Sequence, residues 1–168
     1  MARIAGSDEI IRMLEEKGIP YSLIEHKRVF SIAELDEIDA DEKDSIVKNI
    51  VLCDDKKKSF FLLTIPPHMK VDIKALRTVL SSRPLSFLAE ERLHALLKIG
   101  KGEATPFALL NDEENMFSFI LDSSLLDKRI GIHPNDNSKT VFMNSLSLLE
   151  VLKEHGEKCL VLEVPRLI

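Results

Sequence analysis

Apolar and polar positions recur along this chain with two different periods, and the switches between them divide it into elements. In SDEIIRMLEEKG, Ile10, Ile11 and Leu14 share one face of a helical repeat, which predicts a helix with Ser7 as N-cap and Gly18 as its stop. PYSLIEH then reads as a short strand, and Ser31 with Glu34 in SIAEL forms a capping-box pattern that opens a second, short helix. Two β-rich runs, 46–53 and 59–65, flank the polar DDKKK and predict a hairpin that Pro66 and Pro67 end. VDIKALRTVLSS is helical, capped by Asp72, with Ile73, Leu76 and Leu80 as its buried stripe.

LSFL predicts a short strand before the helix AEERLHALLKI, and GKGEATPFALLND follows as a loop punctuated by Gly and Pro. MFSFILD, RIGIH and KTVFMN supply three further strands. SLSLLEVLKEHG is a helix with Leu146, Leu149 and Leu152 inward that ends at Gly156, and KCLVLEVP closes the chain as an interior strand. Hairpins mixed with helical crossovers imply an α+β fold with a mixed sheet, not a doubly wound parallel one. With 168 residues, 45% of them hydrophobic, the chain suits a single domain over 1–168.

Composition narrows the classes. No apolar run approaches the roughly 18 residues of a spanning helix, and the N-terminus lacks the apolar core of a secretory signal. Cys53 and Cys159 sit far apart in strand-like runs without zinc-ligand spacing, so both are expected as buried thiols in a reducing cytoplasm. A net charge of −5 argues against binding along duplex DNA, while leaving room for a small basic pocket that grips one or two phosphates. Phosphate-binding P-loop, dinucleotide-glycine and nucleophile-elbow patterns are all absent, and no histidine pair has metal spacing.

Three features carry candidate chemistry. In SIVKNIVL, strand alternation sets Lys48 on the same face as Ile46, Ile50 and Leu52, with Val47, Asn49 and Val51 on the other. An ammonium carried toward a core needs an anionic partner; the alternative is an edge position from which the stem reaches water. In RIGIHPNDNSKTV, Pro134 fixes the backbone after His133, and Asn135, Asp136 and Asn137 can close a side-chain-supported turn. That would hold an imidazole rigidly at the mouth of a sheet, whether as a structural residue or as a working one. In GEATPFALLND, Gly102, Thr105, Pro106 and Phe107 form a rigid loop that either presents backbone groups to a ligand or is a packed connection. Lys56, Lys57 and Lys58 read as a solvated hairpin tip.

VKNIVL, KALRTVL, RPLSF, GEATPFALLND, the LD at 121–122 and GIHPNDNSKTV occur together in the order found in the YbaK/ProX-like aminoacyl-tRNA deacylases, and GIPYSLIEHKRVFSIAEL is similar to their opening segment. Within that family the chain most resembles the free-standing prolyl-tRNA editing proteins of ProX or PrdX type, which are similar to the insertion domain of bacterial prolyl-tRNA synthetase. The resemblance implies a mixed, partly barrel-like sheet flanked by helices, no cofactor, and hydrolysis of mischarged aminoacyl-tRNA, foremost Ala-tRNA(Pro). Cys-tRNA(Pro) is the alternative substrate within the family. A non-catalytic module that binds an RNA end is the alternative outside it.

Carried over by residue, the resemblance assigns Lys48, Gly131 and His133 to the reacting centre. It assigns Asn49, Gly102, Thr105, Pro106, Phe107, Pro134 and Asn135 to substrate binding. Lys48 would orient the terminal adenosine and the ester, and His133 would bind the amino group or line a small pocket without acting as general base. The partner implied is the 3′ end of an aminoacyl-tRNA; a complex with prolyl-tRNA synthetase is compatible but has no signal of its own. Two departures from the family pattern, Ala108 after TPF and the run RPLSFL, are expected to narrow the amino-acid pocket.

Overall fold

The computed structural model describes residues 6–26, 44–100 and 102–168. Its elements are α1 (Ser7–Glu16), β1 (Ser22–Glu25), β2 (Lys48–Asp54), β3 (Phe60–Ile65), α2 (Ile73–Leu80), β4 (Leu85–Phe87), α3 (Glu90–Leu97), β5 (Phe117–Asp122), β6 (Arg129–Ile132), β7 (Lys139–Asn144), α4 (Ser145–Glu154) and β8 (Lys158–Leu162). A 3-10 turn, Pro106–Asn111, lies within the loop that follows α3. The helix expected to open at Ser31 falls outside the described residues.

The strands form a three-stranded sheet in the order β1-β7-β6 and a five-stranded sheet in the order β4-β2-β3-β5-β8. The β2–β3 hairpin is antiparallel, whereas β3–β5 and β5–β8 are parallel, so the larger sheet is mixed as expected. Neither sheet closes on itself among the described residues, and the partly barrel-like expectation gives way to two open sheets. They meet at an isolated parallel bridge between Ile46, just before β2, and Gly131 in β6.

Alternation along the central strands builds a core on each face of the larger sheet. Val51, Cys53, Leu62, Phe119 and Leu121 face a large cluster that α1, α3, α4 and the 3-10 turn complete. Leu52, Leu63, Ile65 and Ile120 face a smaller cluster closed by Met69, Leu76 and Val164. Asp72 caps α2 through Ala75 N at 3.1 Å, and Gly18 follows α1 with φ of 67°.

Three local expectations are corrected. Gly6, not Ser7, is the N-cap of α1, because the Glu9 carboxylate reaches back to accept from Gly6 N at 3.1 Å. In α4, Leu146 is 43% exposed, while Leu148, Leu149, Val151 and Leu152 are buried. Strand β8 lies at a sheet edge with Leu160 and Val161 exposed, because β5 takes one side and no described strand takes the other. Cys53 is buried and Cys159 half-buried, and both are unpaired thiols. Two strands separate β2 from β8, which puts the sulfurs roughly 14 Å apart at the usual strand spacing and well beyond disulfide reach.

Candidate active site

The site is built outward from the bridge between the two sheets. Gly131 N donates to Ser45 O at 2.8 Å and Val47 N donates to Gly131 O at 3.2 Å, so 45–47 and β6 run side by side in parallel. Only glycine fits there. A Cβ at position 131 would stand 2.7 Å from Phe142 Cε1 and 3.0 Å from Ile46 Cγ1. Two residues beyond the bridge, one run reaches Lys48 and the other reaches His133. Lys48 pairs with Ile65 on the face of the smaller core, as alternation predicts, yet it is exposed because the face ends there at the start of β2. Of the two readings the sequence left open, the side chain takes the one that reaches water.

The His133 ring is held at Nδ1 from the far end of its turn. Its Nδ1 lies 3.0 Å from Lys139 O; a carbonyl only accepts, so Nδ1 carries the proton and the neutral ring keeps its lone pair on Nε2. Burial pushes the His133 pKa below the ordinary histidine value and His26 adds to this, against the Lys139 carbonyl and the charges of Asp136 and Glu103. The His26 ring sits with its centroid 6.4 Å away. Asn135 adopts φ of 57°, and Asp136 Oδ1 accepts from Ser138 N at 2.9 Å and Ser138 Oγ at 2.6 Å, the side-chain-supported turn that the polar run predicts.

That turn is cross-linked to the 102–107 loop. Thr105 Oγ1 donates to His133 O at 2.6 Å, and Asn135 Nδ2 donates to Phe107 O at 3.2 Å. Thr105 Oγ1 also accepts from Phe107 N at 3.4 Å and opens the 3-10 turn, with Pro106 at its first position. Thr105, Pro106, Phe107 and Pro134 are buried, whereas Gly102 is exposed with φ of 79°. The loop is therefore a packed connection and also one wall of the region around His133.

A family model for the aminoacyl-tRNA editing domain matches residues 26–151. The chain belongs to that family. As an editing domain it is an aminoacyl-tRNA deacylase, and Lys48, the 102–107 loop, Gly131 and the His133–Asn135 step all lie inside the matched span. It is 37% identical over 156 residues to the prolyl-tRNA editing protein ProX of Acetoanaerobium sticklandii, covering 92% of this chain and 95% of that one. The prolyl-tRNA synthetase associated domain-containing protein 1 of Mus musculus is 30% identical over 167 residues, covering 95% and 98%. In fold it is similar to the crystal structure of a candidate trans-editing enzyme for prolyl tRNA synthetase, with a TM-score of 0.65 at 17% identity, covering 98% of this chain and 99% of that chain.

Within this editing domain the structure gathers most of the sequence-derived residues, but not all. Asn49 lies on the opposite face of β2 from Lys48, where its Oδ1 accepts from Thr64 Oγ1 at 2.6 Å. Asp122 of the LD pair is buried: Oδ1 accepts from Val164 N at 2.8 Å and Oδ2 from Ser124, so it ties β5 to the C-terminal segment. Ala108 is fully buried in the large core and Phe87 is exposed on β4, so neither departure is placed by a described contact against the His133 turn. Sequence reasoning missed His26 and the Lys139 carbonyl. The signal for His26 was the strand PYSLIEH, whose last residue donates from N to Ser138 O at 2.9 Å. Among the described residues no group of three or more His, Cys, Asp or Glu is arranged to hold a metal, and no helix is long and apolar enough to cross a membrane.

Proposed function

We propose that this editing domain hydrolyses the ester of tRNA(Pro) wrongly charged with a small amino acid, foremost alanine. The observation that carries this reading is the pair of hydrogen bonds locking the His133–Asn135 turn to the Thr105–Phe107 loop, next to the bridge from which Lys48 emerges. The 37% identity to a prolyl-tRNA editing protein supports the choice of tRNA.

An aminoacyl ester is already activated, so positioning a water and stabilising the developing oxyanion suffice. Water oxygen attacks the ester carbonyl carbon, the bond to the ribose oxygen breaks, and that oxygen takes a proton as amino acid and tRNA part. Lys48 is the cation that binds the terminal adenosine and orients the ester. The His133 Nε2 lone pair accepts from the substrate's α-ammonium, a role that requires the neutral ring which burial favours. Backbone groups around Gly131 and of the 102–107 loop hold the carbonyl and the side chain, and the substrate's own ribose hydroxyl helps activate the water. A pocket closed by these rigid walls excludes larger acyl groups sterically; rejecting smaller ones by lost contact yields only about 1–3 kcal/mol per methylene.

The test incubates the protein with Ala-tRNA(Pro), Cys-tRNA(Pro) and Pro-tRNA(Pro), with Lys48→Ala alongside. Ala-tRNA(Pro) is deacylated and Pro-tRNA(Pro) spared, and Lys48→Ala loses about a hundredfold in kcat/KM with its circular dichroism unchanged, the scale of a misplaced reacting group. Preference for Cys-tRNA(Pro) overturns the alanine assignment, hydrolysis of none of the three overturns the reaction, and a fully active Lys48→Ala overturns the role of Lys48.

A further inference from the structure

A polyanionic substrate and a chain of net charge −5 need a local cationic surface if they are to meet productively. One cavity supplies it, and it adjoins the start of β2. It has a volume of about 410 Å³, with Pro66, His68, Met69, Leu167 and Ile168 in its lining and Lys70 and Arg166 as its cations. No acidic side chain lines it, and no hydrogen bond or ion pair joins the Lys70 or Arg166 side chain to a described residue. Two other cavities differ. In one, of about 210 Å³, Lys98 is outnumbered by Asp112, Glu113 and Glu114. In the other, of about 350 Å³, the single cation Arg129 is engaged by Ser22 Oγ at 3.0 Å and by the Phe142 ring.

The groove is built rather than incidental. Its walls are two backbone segments held antiparallel: Val71 bridges Arg166, Leu167 N donates to Lys70 O at 2.9 Å, and Asp72 N donates to Pro165 O at 2.9 Å. Asp122 fixes the segment that follows β8 at Val164. One end is set by Pro66, the residue after Ile65, and Ile65 is the register partner of Lys48. Lys48 and Met69 also belong to the same side of the larger sheet, that of the smaller core. The cations therefore begin where the candidate active site ends. A groove lined by two cations and no acidic side chain suits the phosphodiester backbone of a single-stranded nucleic acid, and without an aromatic side chain it follows the backbone and not the bases.

We propose that this groove binds the phosphodiester backbone of the single-stranded 3′ end of the tRNA, immediately upstream of the nucleotide whose ester is cleaved. The proposal rests on the deacylase reading for its substrate. Lys70 and Arg166 are the phosphate contacts.

The experiment measures fluorescence anisotropy of a short 5′-labelled RNA ending in CCA across a series of salt concentrations. Each phosphate contact on a single strand contributes about 0.7 to the slope of log K against log salt. The double variant Lys70→Gln/Arg166→Gln therefore binds about tenfold more weakly, with a slope shallower by about 1.4. The swap Lys70→Arg/Arg166→Lys keeps the wild-type slope. Lys158→Gln, which removes one exposed cation from β8, stays at the wild-type affinity, so an effect of net charge alone is separated. Wild-type affinity and slope in the double variant would overturn the groove, as would an equal weakening by Lys158→Gln. If the wild type binds this RNA through the groove yet hydrolyses no charged tRNA, the deacylase reading alone fails. If it deacylates and the double variant keeps its KM and salt slope, the groove alone fails.

Discussion

At Gly131 the absence of one carbon decides whether β6 can lie against residues 45–47. A methyl group there meets the Phe142 ring and the Ile46 side chain, both buried and hemmed in by neighbouring strands. Gly131→Ala is expected to cost about 1–3 kcal/mol, as overpacking does. Urea denaturation reads this as a lower midpoint with an unchanged m-value, accompanied by a loss of deacylation as the runs carrying Lys48 and His133 part. The sequence marks Gly131 only through the family pattern. Its physical reason is a contact with residues 85 and 11 positions away along the chain, which no local pattern contains. His133 divides the same way. Pro134 after it predicts a rigid imidazole, but the Lys139 carbonyl decides which nitrogen holds the proton.

Among the elements, the 102–107 loop and the turn after β6 act as one unit because each satisfies the other's backbone. Thr105→Val removes the donor to His133 O and leaves that carbonyl unmet, at a cost of about 1 kcal/mol or more. The expected outcome is a raised KM for aminoacyl-tRNA and a lowered melting temperature, both restored by Thr105→Ser, which keeps the hydroxyl. Steady-state kinetics and thermal melts check it. Most elements were legible from periodicity, since the hairpin, α2, α3 and the strands β5 to β7 stand where their patterns put them. Where the reading failed, the pattern was ambiguous. In SLSLLEVLKE five apolar residues allow more than one buried stripe, and packing against neighbouring elements chose Leu148 and Val151 over Leu146. KCLVL is a continuous apolar run that fits an interior strand, and strand order alone made β8 an edge.

At the scale of the whole molecule, one buried carboxyl among the described residues ties stability to pH. Glu157 joins α4 to β8 and is buried. Desolvation, with the charge and hydrogen bond of Asp112 behind it, raises its pKa to about 8. A carboxyl whose folded pKa exceeds its unfolded value adds stability that is complete below about 4.5 and is lost as pH rises through about 8. The wild type should therefore lose melting temperature between pH 5 and 8 relative to Glu157→Gln, by at most about 3–5 °C per pH unit for a chain of this size. Differential scanning calorimetry of the pair checks it; parallel curves would show that Glu157 does not titrate in that window. By itself the sequence determined the element order, the mixed α+β class, the face on which Lys48 stands and the rigid turn after His133, because each follows from short-range spacing. The tertiary structure alone decided that two open sheets meet at Ile46 and Gly131, that the Thr105 loop locks to the His133 turn, and that Lys70 and Arg166 share a groove. Each of those depends on contacts between residues far apart in the chain, and the periodicity of one segment holds no information about which other segment will lie beside it.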